Sequence, residues 1–92
     1  MEIQNKITLP RLTSYEKSEL IAQRIIDLDN GAKSTIEDII KQENLYRTRD
    51  IAIREYEEMK LPDVDIIRKF PNGDYEIWKL KEFKYFPRSI NE

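Results

Sequence analysis

Ninety-two residues suit a single small domain, and a domain of this size buries a modest share of its surface and is only marginally stable alone. Hydrophobic residues make up 39% and charged residues 37%, with 16 basic against 18 acidic side chains, which lacks the basic excess expected of a freestanding nucleic-acid binder. With no Cys and no His, the chain has no disulfide and no thiolate zinc site, and Ser-His, Cys-His and His-rich metal constellations are excluded.

No stretch approaches the roughly 18 apolar residues of a membrane span, and the amino terminus lacks the apolar core of a signal peptide. The expectation is an intracellular, soluble protein. Its thin apolar supply favours a domain that gains stability by binding a partner.

Residues 1–12 are mixed in character and contain Pro10, which reads as an extended arm. Thr13-Ser14-Tyr15-Glu16 is a capping box, in which the threonine hydroxyl accepts from the amide three residues on and the glutamate reaches back. The helix that follows, about 14–28, carries Tyr15, Ile21, Ala22, Ile25 and Leu28 near helical spacing. Asp29-Asn30-Gly31 ends it, because Asn and Gly tolerate the left-handed conformation of many helix termini. Arg24 interrupts the aliphatic run, and an arginine there often anchors a carboxylate or carbonyls at an interface.

Ser34-Thr35-Ile36-Glu37 could cap a short helix through Lys41 or Gln42, and Ile36, Ile39 and Ile40 could equally sit in an extended segment. The cap favours the helix. Thr48 or Asp50 opens a longer helix, about 49–60, with Ile51, Ala52, Tyr56 and Met59 on one side. Glu55, Glu57, Glu58 and Arg54 read as its solvated face, and Pro62 as its stop.

After Pro62 the period changes. Val64, Ile66, Ile67 and Phe70 are β-formers, Pro71-Asn72-Gly73-Asp74 is a turn signal, and Tyr75, Ile77 and Leu80 alternate with Glu76 and Lys79 around Trp78. A β-hairpin with arms near 65–70 and 74–79 follows. A lone hairpin is marginal in water, so it must pack on the helices or join a partner's sheet. The fold class is therefore α+β, with an arm over 1–12, one domain over 13–86 and a tail over 87–92.

Chemistry leaves few candidates. Gly31 and Gly73 are turn residues rather than a phosphate loop. Pro62-Asp63 followed by Glu82-Phe83-Lys84 resembles the metal-binding signature of the restriction-nuclease fold, but the order is loose and that fold needs a central sheet. Arg68 stands among apolar neighbours on the first hairpin arm. Together with Arg47, Arg49 and Lys69 it reads either as solubility and ion pairs with Asp50, Asp65 or Glu76 across the hairpin, or as a charged contact to a protein or nucleic-acid partner.

Leu12-Thr13-Ser14-Tyr15-Glu16-Lys17 with Ile21-Ala22-Gln23-Arg24 resembles the helix opening of the RNA polymerase subunit K/omega family. That family comprises archaeal subunit K, bacterial omega and the sixth subunit shared by eukaryotic nuclear polymerases. Gly31-Ala32, Asp50-Ile51-Ala52, Glu55-Tyr56 and Leu61-Pro62 are similar to its middle, and Ile66-Ile67-Arg68 with Pro71-Asn72-Gly73-Asp74-Tyr75-Glu76 and Trp78 to its terminal hairpin. The likeness runs from about Leu12 to Phe83 in matching order. Departures are Lys33-Ser34 in place of a proline, a longer stretch before Asp50, a single matched hairpin arginine and no acidic amino-terminal extension. Such a version suits a viral or other divergent polymerase.

The resemblance implies a non-catalytic subunit, without a cofactor, that binds the largest polymerase subunit, promotes its assembly and accompanies the polymerase in the cell. It implies no specific nucleic-acid contact and no membrane. Tyr15, Glu16, Arg24 and Arg68 would meet the largest subunit. Ile51, Ala52, Tyr56 and Trp78 would form packing or interface positions, with Tyr15 and Tyr56 open to either role. Reversing the charge of Arg24 or Arg68 is then expected to weaken association without unfolding the domain. The contrasting reading is a freestanding adaptor or transcription regulator that binds proteins through its hairpin edge and aromatic tail.

Overall fold

The computed structural model of the protein describes residues 1–87, and its first helix opens on the capping box. The Glu16 amide donates to Thr13 Oγ1 at 3.0 Å, and the Thr13 amide donates to Glu16 Oε1 at 2.9 Å. From there α1 runs Ser14–Asp29. It ends in a Schellman turn, with Gly31 at φ 97°, its amide on the Leu28 carbonyl and the Ala32 amide on that of Asp27.

The short helix expected in the middle is present as α2, Glu37–Glu43, and the longer one as α3, Thr48–Glu57. Neither Ser34 nor Thr35 caps α2, whose N-cap is Ile36 without a side-chain bond. Ser34 and Thr35 are instead turned toward Glu55. The last turn of α3 falls short of residue 60, because Met59 takes up the left-handed region at φ 59°. The Lys60 amide then reaches back to the Glu55 carbonyl and closes the helix well before Pro62.

Strands β1, Asp65–Lys69, and β2, Tyr75–Lys79, pair antiparallel, with Ile66 opposite Trp78 and Arg68 opposite Glu76. Gly73 at φ 94° and the Phe70 amide on the Asp74 carbonyl shape the turn. The fold is thus α+β, with three α-helices followed by a hairpin among the described residues. The alternation on β2 is the reverse of that read from the sequence. Glu76 and Trp78 are its buried positions, whereas Tyr75 and Ile77 are only half-buried. A one-residue phase shift suffices for this, since strand side chains alternate faces.

Leu12, Tyr56, Ile66, Trp78 and Phe83 form the buried cluster, with Leu20, Ile21, Leu61, Leu80 and Phe86 packed around it. Tyr56 and Trp78 are therefore core residues. Ala52 is fully buried, whereas Ile51 is only half-buried. After the 3-10 turn Leu80–Glu82, Phe83 stacks on Trp78 with ring centroids 5.0 Å apart.

Residues 1–12 are woven into the domain. Tyr75 donates to the Met1 carbonyl and accepts from Ile3, while Leu12 donates to the Tyr85 carbonyl. Of the tail read over 87–92, Pro87 accepts from the Tyr56 hydroxyl at 2.6 Å, and the remainder lies outside the described residues. Among the described residues no helix is long and apolar enough to cross a membrane.

Candidate functional site

Helix α1 buries charge on its inner face, where Lys17 and Arg24 are its most enclosed residues. Arg24 meets α3 there. Its Nε donates to Glu55 Oε1 at 2.5 Å, and its Nη2 donates to Glu55 Oε2 at 3.1 Å and to the Lys33 carbonyl at 3.0 Å. Ser34 Oγ and the Thr35 amide complete the shell of Glu55 at 2.7 and 3.1 Å. Burial alone would raise the Glu55 carboxyl, but these donors outweigh it and hold it below the ordinary carboxylate value. Glu55, expected on the solvated face of the helix, is fully buried. The planar guanidinium suits a two-oxygen acceptor, which is why the pair tolerates enclosure.

At the amino-terminal end of α1 a second arginine performs a similar task. Arg68 donates from Nε and Nη2 to the two oxygens of Glu16, each at 2.9 Å. Its remaining donors reach Thr8 Oγ1 and the Leu9 and Arg11 carbonyls at 2.7–2.8 Å. The guanidinium also lies over the rings of Trp78 and Phe83, 5.1 and 4.9 Å from their centroids. The Arg68 hydrogen bonds are the main reason the Glu16 carboxyl lies below its ordinary value. Glu16 therefore serves α1 twice, as its cap and as the counter-ion of the hairpin. None of Asp50, Asp65 and Glu76 forms the ion pair of Arg68, and Asp65 bonds Lys79 instead.

Glu76 is a third enclosed charge. Its carboxylate accepts from the Ile7 amide at 2.6 Å, the Thr8 amide at 3.2 Å and the Trp78 indole at 2.8 Å, as well as from the Thr8 hydroxyl. Burial pushes this carboxyl up, yet the four donors prevail and bring it down to about 2.

Of the residues expected to meet a partner, Arg24, Arg68 and Glu16 thus take their first bonds within the chain. Tyr15 is different, being 74% exposed on α1. Its hydroxyl is raised above the ordinary tyrosine value by hydrogen bonding to Glu19. Spacing gave a signal for the two missed carboxylates. Glu55 follows Ala52 by three and precedes Tyr56 by one, and Glu76 precedes Trp78 by two, so both share a face with a core residue.

Tyr15 borders an open groove of about 480 Å³, walled on one side by α1 as far as Asp27 and on the other by residues Leu61 to Ile67. Asp63 lies in this groove, whereas Glu82 accepts from the Lys79 amide and pairs with Lys6. Among the described residues no three carboxylates gather at metal-binding distance. No protein-family model matches the chain, and no curated protein matches it.

Proposed function

We propose that this chain is a non-catalytic small subunit of a multisubunit DNA-directed RNA polymerase, similar to the K/omega family, that binds the largest subunit and favours its assembly. One observation carries the reading. The three stretches of sequence that hold the resemblance are tied to one another by their own charged residues, Glu16 to Arg68 and Arg24 to Glu55. Positions that look unrelated along the chain thereby serve one purpose, fixing α1 against α3 and the hairpin. A domain with a small apolar cluster and two fully buried carboxylates, Glu55 and Glu76, has little hydrophobic reserve, and a partner surface would supply the rest. Tyr15 is the residue of the expected contact set that remains open to such a partner.

Co-purification tests this. The tagged chain, isolated at moderate salt from its native source, should bring down the largest polymerase subunit in near-equal amount. Tyr15→Ser should weaken that association about tenfold, as truncation of an exposed interface tyrosine commonly does, while leaving the melting temperature unchanged. Absence of any polymerase subunit from the purified material would end the reading.

A further inference from the structure

The groove beside α1 has two properties that the packing of the domain does not use. The first is a free sheet edge. Leu80 donates to the Val64 carbonyl and Phe70 to that of Asp74, and Ile66 and Arg68 stand opposite Trp78 and Glu76. In an antiparallel ladder this phase directs the amides and carbonyls of residues 64, 66, 68 and 70 toward β2. Those of Asp65, Ile67 and Lys69 are directed to the opposite side. Among the described residues no strand or bridge pairs with that side of β1. The outer edge of β2, by contrast, is covered at Tyr75 by Met1 and Ile3. Asp65, Ile66 and Ile67 line the groove, so the free edge forms part of its wall.

The second property is an excess of negative charge. Five carboxylates line the groove, Glu16, Glu19, Asp27, Asp63 and Asp65, against the single cation Arg24. Arg24 is neutralised by Glu55, Glu16 by Arg68 and Asp65 by Lys79. Glu19, Asp27 and Asp63 make no ion pair among the described residues. Apolar surface lies between these charges, from Leu20, Leu61, Val64 and the half-exposed Ile67.

We propose that this groove takes an extended segment of a partner protein, paired as an added strand to the free edge of β1 and carrying lysine or arginine beside apolar residues. Main-chain bonds to Asp65, Ile67 and Lys69 supply the pairing. Glu19 and Asp27 on one wall and Asp63 on the other select the cations. The inference stands on the groove alone: loss of the polymerase pull-down bears on the family reading, and the titration below bears on the groove.

The test uses the full chain, ¹⁵N-labelled, titrated with a capped octapeptide of alternating valine and lysine and with its valine-glutamate counterpart. The lysine peptide should shift the amides of residues 61–67 and of the groove side of α1. It should also slow hydrogen exchange at the Ile67 and Lys69 amides. Asp63→Lys combined with Glu19→Lys, both at exposed positions, should weaken it by about tenfold at low salt. Ile67→Pro removes an amide that the hairpin leaves unused and should weaken it by about the same factor, the worth of a hydrogen bond or two. No shift at millimolar peptide, equal binding of the glutamate peptide, or undiminished binding by the charge-reversed protein would each overturn the proposal. So would protection of Ile67 that rises with protein concentration in the absence of peptide, because the occupant would then be a second copy of this chain.

Discussion

Arg24 and Glu55 are 7% and 0% exposed in their side chains, so each depends on the other for its charge to be tolerated. Removing one member of such a pair strands the other, at a cost of about 3–5 kcal/mol. Arg24→Ala and Glu55→Ala are therefore each expected to lower the unfolding free energy by about that amount in urea titrations. The double change to Met at both positions should recover most of it, because apolar side chains of similar volume often replace a buried pair without loss. A cost below about 1 kcal/mol for either single change would show that the pair is solvated. The same burial alters what charge reversal at Arg24 reports. Two carboxylates would face each other inside the domain, so Arg24→Glu unfolds the protein instead of probing a partner surface. The enclosed position of Glu55 is legible from its place in the stripe with Ala52 and Tyr56. Its counter-ion is not, since Arg24 lies 31 residues away and nothing local couples them.

At the scale of elements, all three helices end with an amide reaching back five residues past a left-handed residue. The acceptors are the carbonyls of Asp27, Ile40 and Glu55, and the left-handed residues are Gly31, Asn44 and Met59. Gly and Asn suit that conformation, and Met does not, because its Cβ crowds the following carbonyl at a cost of about 1–2 kcal/mol. Glycine avoids that crowding but gives up about 0.5–1 kcal/mol of chain entropy. Met59 is 64% exposed, so little packing is lost on its removal. Met59→Gly should therefore stabilise the protein by about 0.5–1 kcal/mol and raise the thermal midpoint by a few degrees. A lowered midpoint would mean that the Met59 side chain supports the fold. This contrast explains why the end of α1 is legible in Asp29-Asn30-Gly31 while that of α3 is not. The first uses residues with an intrinsic preference for the turn, and the second adopts the turn against preference, stopping at Glu57 and leaving Pro62 beyond it. The hairpin shows a similar division. Pro71-Asn72-Gly73-Asp74 locates the turn, but apolar residues at both Ile66 and Ile67, and at both Ile77 and Trp78, leave the inward face undetermined by composition. Arg68 and Glu76 resolve it, since each finds its bonds on the inward side.

For the molecule as a whole, the order of residues 1–12 owes much to one carboxylate, beside the Arg68 bonds to Thr8, Leu9 and Arg11 and the backbone bonds to Tyr75 and Tyr85. An arm with Pro10 and little periodicity has no reason of its own to be structured. Glu76, buried on β2, needs donors, and Ile7 and Thr8 supply them from the arm, so the charge holds the arm in place and the arm solvates the charge. Removing residues 1–8 should lower the unfolding free energy near neutral pH by on the order of 3 kcal/mol, through the charge-assisted bonds that are lost. The dependence on acid separates this from a general loosening. In the intact fold the Glu76 carboxyl lies at about 2, below its ordinary 4.5. The stability it contributes is then fully present above about pH 4.5 and is lost as the pH falls toward 2. The shortened chain lacks the donors that cause most of this depression. Its deficit relative to the full chain should therefore shrink between about pH 4.5 and 2, even though Glu16 and Glu55, also held low, continue to give both proteins an acid-sensitive limb. Paired urea titrations across that range measure the difference directly. A deficit that stays constant with pH would separate the arm from Glu76 and leave the Tyr75 and Tyr85 backbone bonds and the Arg68 bonds to Thr8, Leu9 and Arg11 as what holds it.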